Sequence, residues 1–365
     1  MTRFTLRAER MAFVGPSLAV PADRRQRARQ LHGLLALALL AVCLTSLAVG
    51  ASGTSLWRAV WALLTGQGVS AAEAVILWDI RAPRTLLGAC VGAALAVSGA
   101  VMQGLFRNPL ADPGLLGVSA GAGLGALMAI VAAGSLPFGL AAYVGDALLP
   151  VMAFTGAWAS MMLLYAVATR SGRTSVATML LAGIALAALT GALSGLLIFH
   201  ADDMQLRELT FWQLGSLAGS AWPKVLIAGP VILLATLLAT TLARGLNGLA
   251  LGEAAAHHIG IDVQRTKNIA ILAVSAATGA AVAVSGGIGF IGIVVPHLLR
   301  LATGPDHHGL LINSALLGAS LLLGADIVSR LIVAPAELPI GIVTAVLGAP
   351  FFLWILLRRR SVVDL

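Results

Sequence analysis

Ten stretches of this chain run for 15 to 33 residues without a single Asp, Glu, Lys or Arg: 30–57, 85–106, 113–145, 147–169, 174–201, 209–223, 225–243, 268–299, 309–325 and 338–357. A segment that long and that apolar cannot face water, and about 20 residues of helix cross a bilayer core. The bilayer is therefore the ruler for the whole chain. Only 10% of the residues are charged, against roughly 25% in a soluble domain, which excludes both a soluble globular protein and a disordered one. A net charge of +8 does not point to nucleic acid, because the basic residues sit in short tails and loops beside apolar runs, as membrane topology requires.

Subdividing the runs predicts ten helices, over about 33–53, 83–106, 114–133, 148–169, 176–199, 224–243, 267–285, 289–303, 309–330 and 338–357. The 268–299 run is too long for one crossing and is broken at Ser285-Gly286-Gly287-Ile288-Gly289. The 209–223 run is too short and reads as an interfacial loop rich in Trp and Gly. With both termini on the cytoplasmic side, 17 of the 23 Lys and Arg fall inside and six outside, as the positive-inside rule asks. Three parts follow: an Arg-rich tail over 1–32, a ten-helix transmembrane domain over 33–357, and a short C-terminal tail over 358–365. Both tails are expected to be cytoplasmic.

Few residues inside this framework can carry chemistry. Cys43 and Cys90 lie in apolar runs and build neither a disulfide frame nor a CxxC metal site. The seven histidines form no H-E-x-x-H or other tight ligand set, and no nucleophile, base and acid fall together, so the expected list of metal and catalytic residues is empty. No G-x4-G-K-[ST] loop is present, so ATP, if used, must bind a partner. Glycines recur at packing spacing, as in Gly121-x3-Gly125 and Gly191-x3-Gly195, which lets helix backbones approach in lipid. A set of intramembrane carboxylates, the usual relay of an ion-coupled secondary transporter, is missing from the helix centres.

Asp326 and Arg330 are four apart and share a helix face near the outer end, while Arg81 and Arg84 flank Pro83 at the outer boundary. On spacing alone, local pairing and an outward basic patch for an acidic partner are equally open. The inner loop 244–266 holds Ala250 to Gly260, which reads as one short half-apolar helix closed by Gly260. Such a helix suits a groove on another protein or the lipid surface.

Three stretches together resemble the permease subunits of bacterial importers for iron chelates, haem and cobalamin, the FecCD or BtuC-like family of ABC transporters. The first is Arg81-Ala-Pro-Arg84-Thr85 running through Gly99-Ala-Val-Met-Gln103 to Asn108-Pro109-Leu110-Ala111-Asp112-Pro113-Gly114. The second is the 250–260 loop. The third runs from Gly286-Gly-Ile-Gly289 through Pro296-His297 to Ala325-Asp326-Ile327-Val328-Ser329-Arg330 and Glu337-Leu338-Pro339-Ile340-Gly341. The likeness covers 35–357 in the family's order and spacing.

The resemblance implies an all-α polytopic membrane protein with the type II importer permease fold, ten helices per subunit. It implies a homodimer with its pathway on the two-fold axis, two cytoplasmic ATP-binding-cassette ATPases, and a periplasmic binding protein, all at the bacterial inner membrane. The chain itself would be no enzyme and would bind no cofactor; ATP and Mg sit on the partner, and the chelate is cargo. By position, Arg81, Arg84 and Arg330 match arginines that dock the binding protein. Leu251, Gly252, Glu253, Ala254, His257 and Gly260 fall in the ATPase coupling segment, and Asn108 and Leu110 match positions near the cytoplasmic gate. A second gate element is expected near Thr174-Ser175-Val176-Ala177-Thr178, where this chain departs from the family's shorter spacing. The Arg-rich tail is also longer than the family pattern. The wording Phe106-Arg107-Asn108-Pro109-Leu110-Ala111-Asp112 and Leu209 to Ala218 resembles the haem branch, with ferric siderophore or cobalamin as alternatives.

Overall fold

The computed structural model describes residues 21–50, 54–133, 147–170 and 173–358. Fourteen helices lie within them: α1 (Pro21–Ala48), α2 (Leu56–Thr65), α3 (Ala71–Leu105), α4 (Val118–Ala133), α5 (Leu148–Ala168), α6 (Val176–His200), α7 (Asp203–Gln213), α8 (Trp222–Thr240), α9 (Ala243–Ala250), α10 (Glu253–His258), α11 (Val263–Ser285), α12 (Ile291–Thr303), α13 (His307–Leu331) and α14 (Ile340–Arg358). The turn Val75–Arg81 within α3 is π-wound. A two-residue ribbon, β1 (Thr169–Arg170) against β2 (Arg173–Thr174), links α5 to α6. Seven of these helices are long and apolar enough to cross a membrane, and α4, α12 and α14 are shorter apolar helices. They correspond one for one to the ten helices expected from the apolar runs.

Polar side chains set where the helices begin. Ser175 caps α6 by accepting from the Thr178 N–H, Asp262 caps α11 by accepting from Arg265, and Asp306 caps α13 by accepting from His308. The largest boundary difference is at α1, which starts at Pro21 rather than near 33. Arg27 and Arg29 extend its first turns, so the N-terminal tail is helical over 21–32; residues 1–20 and 359–365 lie outside the described residues.

The core is built around α3. Of its most apolar window, 78% is buried, against 22% for α6, and α3 packs on α13, α11, α8 and α12. Close backbone approach makes this possible. A Cβ at Gly99 would collide with the carbonyl of Gly292 on α12, and one at Gly92 with that of Gly318 on α13. Gly121 and Gly125 of α4 press in the same way on Gly156 and Met152 of α5. Gly191 and Gly195 of α6 do not: a side chain at either would meet open space.

Three irregular segments differ from the sequence expectation or lie beyond it. The 209–223 run is not all loop, because α7 reaches Gln213; its capping box, Asp202 with Gln205, nucleates a helix that apolarity alone does not mark. Helix α2 exposes Trp57, Trp61 and Leu64 while burying Ala59, an amphipathic helix suited to the interface. The segment 214–216 joins the end of α11 to the start of α14 through main-chain hydrogen bonds: Ser216 N–H donates to Ser285 O (2.8 Å), Ile340 N–H to Gly215 O (3.0 Å), and Gly341 N–H to Leu214 O (3.0 Å). Gly215 and Gly286 both hold φ of +70° there, and a Cβ on either would meet backbone.

Candidate functional site

At the end where α1, α3 and α13 finish or begin together, Arg81, Arg84 and Arg330 converge. Arg81 donates to the carbonyls of Leu47 (2.8 Å), Ala48 (3.0 Å) and Thr54 (3.2 Å). Arg84 forks onto Asp326, with Nη2 to Oδ1 at 2.8 Å, and reaches Glu337 with Nη1, also at 2.8 Å. Arg330 closes on the other Asp326 oxygen at 3.1 Å and donates to Ser46 Oγ (3.0 Å) and Val49 O (3.0 Å). The expected Asp326–Arg330 pair is present. All three arginines are nonetheless buried, and Asp326 is wholly so. An outward patch of free cations is therefore not what this end presents: lying between helices, the guanidiniums are engaged by acids and carbonyls of the same chain. Glu337, the more exposed acid, was visible in the sequence only as part of a longer motif.

The opposite end carries Arg107, Arg170, Arg173, Arg244 and Arg265 and is here termed the basic end. Its projecting segment holds the helix expected over 250–260 as α10, with Gly260 just past its end, but a further helix, α9, precedes it. Gly252, with φ of +106°, separates α9 from α10, a conformation that favours glycine over any residue with a Cβ. Leu251, Glu253, Ala254, His257 and Gly260 are exposed, as is Ile259, whereas Ala256 is buried against the body. The segment thus offers solvent a short, partly apolar ridge.

Two polar clamps hold that ridge. In α9, Asn247 donates to Asp306 Oδ1 (2.8 Å) and accepts from the His307 N–H (3.0 Å) at the start of α13. Burial would raise the Asp306 carboxyl, but hydrogen bonds from His308 and Asn247 outweigh it and hold the group at about 2. In α10, Glu253 pairs with Lys267 of α11 at 2.8 Å, and the same ammonium donates to Thr174 O at 2.9 Å.

The residues expected at the gate lie at this end as well. Asn108 Oδ1 accepts from the Leu110 N–H at 3.0 Å, turning the loop after α3, and Asn108 is exposed. In the 174–178 element Thr174 is buried and Ser175, Ala177 and Thr178 are exposed. Thr174 is held by α11: Gln264 Oε1 accepts its N–H (3.1 Å) and Gln264 Nε2 donates to its Oγ1 (2.7 Å). Lys267, Gln264 and Asn247 carry no motif. The only sequence signal for Lys267 is a lone ammonium at the start of an apolar helix. Among the described residues no group of three or more His, Cys, Asp or Glu is placed to hold a metal ion.

The chain and its helical architecture have known counterparts. Residues 38–358 match the family model described as the FecCD transport family. The Hemin transport system permease protein HmuU of Yersinia pestis is 46% identical over 338 residues, covering 92% of this chain and 98% of that protein. The Vitamin B12 import system permease protein BtuC of Escherichia coli O6:K15:H31 is 44% identical over 340 residues, covering 92% and 97%. A solved metal-chelate type ABC transporter in an inward-facing conformation superposes with a TM-score of 0.78 at 31% identity, over 90% of this chain and 99% of that one. The family match begins in α1 and ends in α14, and on that evidence the chain belongs to the FecCD transport family, as a multi-pass permease subunit of an ABC importer.

Proposed function

We propose that the chain works as a homodimer in a bacterial inner membrane and passes haem inward from a periplasmic haem-binding protein. Two ATP-binding-cassette subunits, which hold ATP and Mg, would power the cycle. The observation that carries the substrate is the 46% identity to a hemin permease along nearly its whole length. The dimer reading rests on α6, which leaves Leu181, Ile184, Leu189 and Leu196 exposed and Gly191 and Gly195 open; a second copy would cover that face. The basic end is taken as cytoplasmic on the distribution of Lys and Arg, with both termini there. On this reading 33–357 is the permease domain, 250–260 seats on the ATPases, and Asn108, Leu110 and the 174–178 element border the inner gate.

Docking of the binding protein falls to the opposite end. Because Arg81, Arg84 and Arg330 are internally engaged, acidic groups on the partner would have to compete with Glu337 for Arg84, the arginine whose acid partner is most exposed. Corrinoid transport is the second reading, favoured by 44% identity to a cobalamin permease over a similar length. Both are tested in proteoliposomes holding this chain and its ATPase, with ATP inside and the cognate binding protein outside. ATP-dependent uptake of haem, and not of cobalamin or a ferric siderophore, is the expected result. Uptake of another chelate would overturn the substrate, and uptake without ATP would overturn the coupling.

A further inference from the structure

Lys267 is the buried centre of a link between the exposed ridge and the start of α6. Its ammonium is almost fully enclosed, touching Glu253 Oε1 on one side (2.8 Å) and Thr174 O on the other (2.9 Å). Glu253 is the first residue of α10, directly after the Gly252 break, and its side chain is half exposed on the ridge. Thr174 is the last residue of β2, one residue before the Ser175 cap of α6. The N–H, Oγ1 and carbonyl of Thr174 are all engaged by Gln264 and Lys267 of α11. Asn268, one turn on, accepts from Gln264 (2.7 Å) and from Tyr165 Oη of α5 (2.9 Å). The start of α6 is thereby fastened to the first two turns of α11.

The other half of the ridge is fastened elsewhere. Asn247 ties α9 to the start of α13, the helix that packs most intimately on α3. The Gly252 break therefore separates a half tied by hydrogen bonds to the core from a half that packs through Ala256 and whose polar tie, one ammonium, leads to the α6 entry. We infer that Lys267 is a positioning residue which transmits displacement of α10 to the 174–178 gate element. Glu253 is its input contact and the Thr174 carbonyl its output. An ion pair with one enclosed member keeps its geometry better than an exposed pair, because little solvent competes for it. The inference rests on the reading of 250–260 as the ATPase-seated segment.

The test uses the full complex in proteoliposomes, with Cys43→Ala, Cys90→Ala and Thr178→Cys as a reporter at the exposed gate position. Maleimide labelling of the reporter is followed with and without ATP, beside phosphate release. In the otherwise unchanged background, ATP should alter the labelling rate. No ATP effect there would sink the coupling reading itself, and this inference with it. With that effect present, Lys267→Met should still release phosphate but lose roughly fivefold or more of the ATP-dependent change, and Lys267→Arg, which can still bridge both partners, should restore it. Glu253→Ala breaks the link from its exposed side and should give the same loss without burdening the fold. The double variant should be no worse than Lys267→Met alone, since both sever one link. A normal ATP-dependent change in Lys267→Met, or in Glu253→Ala should Lys267→Met fail to assemble, would overturn the inference; so would losses that multiply in the double variant.

Discussion

Asp326 has no access to solvent and is shared by two buried arginines. Removing one member of a buried charge network leaves the others uncompensated, at a cost of about 3–5 kcal/mol. Asp326→Asn should therefore lower the thermal unfolding midpoint sharply in detergent, and Arg330→Glu, which sets a carboxylate against Asp326, should do the same. Glu337→Gln removes a half-exposed acid and should cost under about 1 kcal/mol. That contrast makes Glu337, rather than the arginines, the residue at which docking can be probed without disturbing the fold. At the basic end, Asp306 is held at about 2 instead of 3.8. A depressed folded value means the group stabilises the native state above the unfolded pKa, and that contribution is lost as pH falls toward 2. Asn247→Ala deletes one of the donors holding it down, so acid unfolding followed by tryptophan fluorescence should begin at a higher pH than in the parent.

Helices are where the sequence was most legible. Charge-free runs report directly on transfer into lipid, so all ten spans could be placed, and Ser285 to Gly289 marked the division of α11 from α12. Polar segments were less legible because their structure depends on short-range hydrogen bonds: α7 declares itself only through Asp202 and Gln205, and the α9–α10 break only through Gly252. Packing between helices depends on residues that apolarity does not rank. Apolarity does not distinguish Gly99 from Gly123, yet Gly99 lies against the backbone of α12 and Gly123 faces nothing within 4 Å. Gly99→Val should destabilise by about 1–3 kcal/mol or more through overpacking and lower the yield of folded protein, whereas Gly123→Val should be nearly silent. Fluorescence-detected size exclusion after a heat step would separate the two.

The molecule as a whole was legible in architecture and less so in its internal wiring. Resemblance singled out the arginines, the ridge and the residues expected at the gate, but it placed the arginines by role; only the fold reveals that burial gives them partners within the chain. Lys267 could not be singled out because Glu253 and Thr174 lie far from it in sequence and meet it only when α10, α11 and the α5–α6 ribbon pack together. At this scale the exposed stripe of α6 carries a direct prediction. Gly191→Leu with Gly195→Leu should leave the monomer folded, since both positions face open space, yet shift the purified protein from dimer to monomer in native mass spectrometry. An unchanged dimer would move the interface elsewhere. The junction of segment 214–216 with Ser285 and with 340–341 bears on a slower process. Its hold is main chain to main chain, so an exposed side chain such as Leu214 can be exchanged with little penalty, while Gly215, at φ of +70° and pressed on the Gly287 carbonyl, cannot. Descendants of one ancestral scaffold can accordingly drift in the side chains around this junction without first rebuilding the frame that carries them.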